Sequence, residues 1–93
     1  MIKRNIFVKI KNDPVLLKIV KFFHENPSCI DSAENISKWI GEELKTVRKK
    51  LDYLVKKKVI NKDKTYLAEA YSYTQDKELM EKIARFMEGL QNE

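Results

Sequence analysis

The side chains most suited to forming a binding site in this chain are Lys45, Thr46, Arg48 and Lys49. Lysine and arginine bring positive charge, and threonine brings a hydroxyl that can donate or accept a hydrogen bond. Together such groups bind anions, because they offer charge and hydrogen-bond donors to the same partner. Lys56 continues the cationic surface further along the chain.

A helix must position these side chains. Apolar residues recur between residues 36 and 60 at the spacing that places them on one helical face. They are Leu44, Val47, Leu51, Leu54 and Val55. The cationic residues fall outside this stripe, so we predict a helix over residues 43–58 with one face in a core and the other in water. A short helix and a glycine precede it, which suggests a helix-turn-helix.

The positive charge of the chain is concentrated in this region. Residues 45–64 contain nine basic and two acidic side chains, a local charge of +7, although the whole chain carries only +5. Residues 76–93 contain three basic and five acidic side chains. Concentrated positive charge is typical of proteins that bind a phosphate backbone. The simpler alternative is a solvated lysine-rich face.

Length and composition favour one small domain over residues 1–93, mainly helical and better stabilised with a second subunit. The lone Cys29 forms no internal disulfide, and we expect it to be a small buried side chain. No signal peptide or membrane-spanning run is recognised, so we expect a cytoplasmic protein without membrane contact. We find no catalytic pair, phosphate-binding glycine loop or metal-ligand set, and therefore expect no enzyme activity, no metal and no cofactor.

Local signals mark the helices of the first half. Asp13 and Pro14 predict a helix start, since aspartate caps free amides and proline suits the first helical position. This helix should run over residues 14–25. A short helix, capped by Asp31 or Ser32, follows to Ile40, with Trp39 as a core or rim anchor. Gly41 provides the turn into the basic helix.

The segments at the two ends are less uniform. The N-terminal extension, residues 1–11, fits both strand and helix spacing, and its β-branched content favours a strand. Val59 and Ile60 begin a predicted β-hairpin, with a polar turn at residues 61–64 and a return strand over residues 65–74. Alternation alone does not decide which parity of the return strand faces the core. Residues 76–90 form a last helix, whose apolar stripe either closes the domain or, in our preferred interpretation, pairs with a second copy.

The order helix, helix, helix, hairpin, helix is that of a winged helix, and residues 12–88 resemble the ArsR/MarR-type transcriptional regulators. The opening of the first core helix resembles that of the ArsR group, and the return strand at residues 71–74 resembles the family's wing. The matching positions of the helix-turn-helix are Ile36, Ile40, Gly41, Thr46, Val47, Leu51 and Leu54. The resemblance implies a mainly α fold with a small β-hairpin and a C-terminal dimerisation helix.

The resemblance also implies a function. A homodimer would bind double-stranded DNA through a recognition helix in the major groove and regulate transcription by occupying an operator. The groove-facing positions would be Lys45, Thr46, Arg48 and Lys49, with Arg48 able to bridge the two acceptors of guanine. Lys62 and Lys64 would reach a minor groove or the backbone from the wing tip.

Three positions depart from the family pattern. Leu16 stands where the ArsR group has arginine, Glu43 where it has a small polar residue, and Lys58 where it has glycine after the third helix. The paired cysteines of its metal sensors are absent. Glu42 and Glu43 near the DNA-facing end motivate a different function, a protein-interaction module without specific DNA binding. Binding of RNA or single-stranded DNA is a third possibility, motivated by tyrosines beside the lysines.

Overall fold

The structure is a computed structural model that describes residues 4–64 and 68–91. Within these ranges the chain forms five helices and three strands. In chain order they are α1 (Arg4–Asn12), α2 (Pro14–Glu25), β1 (Ile30–Asp31), α3 (Ala33–Ile40), α4 (Leu44–Lys56), β2 (Ile60–Lys64), β3 (Glu69–Tyr73) and α5 (Lys77–Gln91). The buried apolar side chains from all five helices and the sheet form one cluster. Three central helices followed by a two-stranded wing make this a winged helix-turn-helix, as the sequence predicted.

The predicted helix boundaries are set by short-range hydrogen bonds. Asp13 caps α2, because its Oδ1 accepts from the amides of Val15 at 3.1 Å and Leu16 at 3.2 Å. Ser32 caps α3 in the same way. Gly41 has a φ of 71° and ends α3 in the left-handed conformation that glycine adopts without steric cost. These three predictions are confirmed.

The N-terminal segment is a helix, so the preference for a strand was wrong. Ile6 and Ile10 are 3% and 0% exposed, whereas Val8 between them is 57% exposed. A strand would turn all three side chains to one face, but a helix turns only the residues four apart to the same side. Packing of α1 on α2 decides between the two periodicities.

The sheet has the strand order β1, β3, β2 and is antiparallel throughout. The predicted turn at residues 61–64 was wrong, because these residues belong to β2 and pair with β3 from Asn61↔Ser72 to Lys64↔Glu69. The strand is an edge with exposed polar side chains after Ile60, and such a composition resembles a turn. Tyr71 and Tyr73 face the core. The predicted return-strand residues 65–67 lie outside the described residues.

The apolar stripe of α5 is covered by the chain itself. Leu79, Ile83 and Met87 are buried, and α5 packs on α2. The ring of Phe86 lies 5.1 Å from that of Phe7 in α1. The helix therefore closes the back of the domain, while Met80, Phe86 and Leu90 stay only partly buried.

Two side chains are more exposed than we expected, Trp39 as a core or rim anchor and Cys29 as a small buried residue. Trp39 is 72% exposed, because the eight residues of α3 fill the core with Ala33, Ile36 and Ile40 and leave Trp39 beside that stripe. Cys29 is half-buried, just ahead of β1. Burial, and then the charge of Asp31, raise the pKa of the Cys29 thiol above its ordinary value, so the thiol is protonated near neutral pH.

Candidate nucleic-acid interface

The apolar face of α4 fixes the direction of its cationic face. Val47, Leu51 and Leu54 are fully buried. Since the helix turns 100° per residue, Lys45 and Lys49 point away from this buried side, and both are exposed. Lys56 lies on the same outward face, about two turns beyond Lys49. The outward surface of α4 is therefore mainly lysine, although Asp52, whose side chain is 62% exposed, lies on the same face.

The two central lysines of this surface are free to meet a ligand. Within residues 4–64 and 68–91, the side chains of Lys45 and Lys49 take part in no ion pair and no hydrogen bond. Exposed ammonium groups without a carboxylate partner keep their full charge for an incoming anion.

Arg48 differs from its neighbours, because it is paired within the chain. Its Nη2 donates to Oε2 of Glu34 in α3 at 2.8 Å. Both side chains are about half exposed, so a ligand could exchange for the carboxylate at a cost below about 1 kcal/mol. Arg48 lies on the flank of α4 that faces α3, and the centre of the outward surface belongs to Lys45 and Lys49.

The acidic residues before α4 are occupied by contacts inside the chain. The Glu42 carboxylate forms an ion pair with the Lys18 ammonium of α2 at 2.5 Å. The hydroxyl of Thr46 donates to Oε1 of Glu43 at 3.2 Å, and Glu43 makes no side-chain hydrogen bond to the helix amides. One of the two charges that argued against an anionic ligand is thus neutralised, and the other faces Thr46.

The wing lysines are also paired within the chain. The Lys62 ammonium lies 3.4 Å from Glu69 and 3.7 Å from Asp52, and 5.8 Å above the ring of Tyr71. The pKa of Lys62 is raised, first by the charge of the Tyr71 phenol group and then by the two carboxylates, against an opposing effect of burial. Lys64 lies 3.9 Å from Glu69. The described wing therefore presents partly compensated charge.

An ion pair attaches α4 to the start of α2. The Lys50 ammonium lies 2.7 Å from Oδ2 of Asp13, the residue that caps α2. Burial by itself raises the pKa of Asp13, but the hydrogen bond and charge of Lys50 and the amides of Leu16 and Val15 outweigh it. The pKa of this carboxyl is consequently below its ordinary value, and the pair adds a contact between α4 and the start of α2.

A pair of lysines around Tyr53 was missed by the sequence. The Lys9 ammonium of α1 lies 5.2 Å from the centroid of the Tyr53 ring, and that of Lys57 lies 5.7 Å from it. Lys57 could have been found from its helical spacing to Tyr53. Lys9 could not, because residues 1–11 were expected to form a strand.

Comparison with known proteins identifies a fold. No protein-family model matches the chain, and no curated protein matches it in sequence. Among solved structures it is similar to a possible transcriptional regulator from Methanosarcina mazei Go1, with a TM-score of 0.68 and 15% sequence identity. The match covers 98% of this chain and 82% of that one. The chain shares the fold of that regulator.

The described surface also has a concave feature away from α4. A cleft of about 270 Å³ opens between α2 and α5. Its lining residues are Leu17, Lys21, His24, Glu25, Ala84, Met87, Glu88 and Leu90. In residues 4–64 and 68–91, no three histidine, cysteine or carboxylate side chains converge on a common metal position. No helix in these ranges has the length and hydropathy needed to cross a membrane.

Proposed function

We propose that this protein is a homodimeric, sequence-specific double-stranded DNA-binding transcriptional regulator of the ArsR/MarR type, acting in the cytoplasm. The observation that supports it best is the outward face of α4, where Lys45 and Lys49 are exposed and without a carboxylate partner among the described residues. A helix with this face fits the major groove, whose width is about 12 Å. Occupying an operator is the whole of the proposed mechanism, with no chemistry on the DNA.

The side chains of α4 would divide the work of recognition. Lys45 and Lys49 would donate to phosphates or to single base edges at the centre of the contact. Arg48 would exchange Glu34 for a base or phosphate, and only Arg48 has the planar fork that suits the O6 and N7 acceptors of guanine. Thr46 would add a hydroxyl contact. Lys62 and Lys64 would approach the flanking backbone only after leaving their carboxylate partners.

The proposed dimer uses residues 76–90. Met80, Phe86 and Leu90 stay partly exposed on α5, and Leu90 also lines the cleft between α2 and α5. A second copy packed there would bury this apolar surface and would place two recognition helices about one DNA turn apart. Sedimentation at equilibrium tests this step, because a monomer at micromolar concentration would contradict it.

The DNA contact is tested by titration of a labelled duplex obtained by selection from random sequences. Lys49→Glu should weaken binding at least about tenfold, since a groove contact becomes a repulsion in each protomer. Lys77→Glu makes the same charge change on the outward side of α5, away from the partly buried Phe86 and Leu90, and should bind as the wild type does once sedimentation shows an unchanged dimer. Equal effects of the two variants would contradict the role of α4. Competition by single strands as effective as by duplex would instead favour the single-stranded partner.

A second candidate function is a winged-helix protein-interaction module without specific DNA binding. The 72% exposure of Trp39 favours it, because exposed tryptophans often anchor protein contacts. The two functions predict different results when the protein is used to select duplexes from a random pool. If the folded protein enriches no duplex from a random pool, the interaction module is the better account.

A further inference from the structure

Two ammonium groups lie on one aromatic ring at the end of α4. The Lys9 ammonium is 5.2 Å and the Lys57 ammonium 5.7 Å from the centroid of the Tyr53 ring. Both distances are within the range in which the negative face of the ring attracts a cation. We call Lys9, Tyr53 and Lys57 the Tyr53 clasp. It joins α1, which is held in place by the buried Ile6 and Ile10, to the end of α4.

The clasp concentrates charge that no carboxylate cancels. Neither Lys9 nor Lys57 has an acidic partner among the residues that the structure describes. Two like charges held near one ring repel each other, and an anion between or above them relieves that repulsion. The wing differs, because Lys62 and Lys64 share the carboxylates of Glu69 and Asp52.

The clasp adjoins the outward face of α4 on the flank opposite Arg48, because each step of four residues turns about 40° further around the helix. Lys49, Tyr53 and Lys57 follow one another at intervals of four residues, so they lie along one ridge of the helix and its C-cap. At 1.5 Å per residue, Lys57 is about 12 Å from Lys49 along the axis. This distance is close to the width of the major groove, about 12 Å. A separation of this size would let the clasp meet backbone phosphates while Lys49 lies in the groove.

We propose that the Tyr53 clasp, and not the wing, supplies the main phosphate contact beside the recognition helix. The partner is the phosphodiester backbone of duplex DNA, bound by the ammonium groups of Lys9 and Lys57 while the Tyr53 ring holds them in place. The N-terminal helix is thereby part of the DNA interface. This inference rests on the proposed DNA-binding function.

The test compares two double variants on one duplex over a series of salt concentrations. The double variant Lys9→Gln, Lys57→Gln loses two lysines in each protomer. The slope of log affinity against log salt should become shallower by about one for each lysine lost, and the sequence preference should stay unchanged. Lys62→Gln with Lys64→Gln removes the same charge and should change the slope little. The reverse order of effects would overturn the inference.

The ring is tested separately from the charges. Tyr53→Phe keeps the aromatic face and should bind as the wild type does, whereas Tyr53→Leu should weaken binding with both lysines in place. Thermal unfolding of each variant verifies that it is folded. If folded Tyr53→Leu binds duplex as tightly as the wild type does, the ring has no role in holding the two lysines for binding.

The two levels of the proposal fail differently. A wild-type protein without salt-dependent duplex binding would overturn the proposed function and the clasp together. A wild-type protein that binds duplex, loses binding with Lys49→Glu and keeps its full salt slope without Lys9 and Lys57 would overturn the clasp alone.

Discussion

Replacing Glu34 with glutamine would release Arg48 from its partner inside the chain. The ion pair has an N–O distance of 2.8 Å, and the two side chains are 54% and 53% exposed. An exposed pair of this kind contributes less than about 1 kcal/mol to folding, so the variant should remain folded. On DNA the change removes a negative charge from the interface and leaves a free guanidinium. We expect a gain of about 1 kcal/mol, or about fivefold tighter duplex binding.

Fluorescence anisotropy with a labelled duplex at several salt concentrations measures this effect. Each Arg48 that gains a phosphate should steepen the slope of log affinity against log salt by about 0.9. Glu81→Gln, verified by sedimentation to keep the oligomeric state of the wild type, is a matched control, since it breaks the exposed pair between Glu81 and Arg85 in α5, with an N–O distance of 3.2 Å, and changes net charge equally. The reasoning is refuted if Glu34→Gln and Glu81→Gln change the affinity by the same factor, or if adding Arg48→Gln does not abolish the gain.

The remaining predictions concern the framework. Asp13→Asn keeps a capping side chain but loses the charge that pairs with Lys50. Because the pKa of Asp13 is lowered in the folded protein, the wild type should have the higher free energy of unfolding in urea denaturation. This difference should be full above pH 3.8 and vanish as the pH falls through the folded pKa. An advantage that is constant between pH 7 and pH 2 would contradict this linkage. The buried hydroxyl of Tyr73 has no hydrogen-bond partner among the described residues, and burial raises its pKa to about 12. At pH 7 Tyr73→Phe should therefore be as stable as the wild type or more stable, by up to about 1 kcal/mol. As the pH rises from 10 to 12, the wild type should lose stability through ionisation of Tyr73, and the variant should not show this loss. A lower melting temperature of the variant at pH 7 would contradict the prediction. Lys58 has a φ of 66°, a left-handed conformation that is strained for residues with a Cβ atom, so Lys58→Gly should raise the free energy of unfolding by about 1 kcal/mol. An unchanged urea midpoint would show that the conformation of Lys58 is not strained. Trp39→Ala should change stability by less than about 0.5 kcal/mol, and a larger loss would mean that the indole is packed in solution.

Local chemistry made much of the fold predictable. Asp13, Ser32 and Gly41 act on amides and carbonyls within four residues, so their effect can be recognised without knowing the rest of the structure. The stripes of α2, α4 and α5 are long enough for only one period to fit. The backbone at Lys58 was also predictable in part. Lys58 has a positive φ, and it stands at the position where the ArsR group has glycine, the residue that adopts this conformation without steric cost.

Other features depended on partners distant in sequence. The N-terminal segment fits two periods, and only its packing on α2 selects the helix. The polar residues of β2 gain their conformation from pairing with β3 and not from their own preference.

The charges of the candidate site could be counted from the sequence, but their pairing could not. Glu34 meets Arg48 across the turn, Lys9 meets Tyr53 from another helix, and Asp52 meets Lys62 from the wing. The sequence therefore predicted a cationic surface. It did not separate the free lysines of α4 from the paired cations beside them.

The most direct test of the DNA-binding proposal is the affinity of the wild-type protein for its selected duplex at 50 and 200 mM salt. A dimer that makes about three lysine–phosphate contacts from each protomer makes about six in all, and its affinity should fall about a thousandfold over this interval. Lys49→Glu should bind weakly at both concentrations, and Lys77→Glu, verified by sedimentation to keep the oligomeric state of the wild type, should follow the wild type. An affinity that stays constant between the two salt concentrations would contradict the proposed interface.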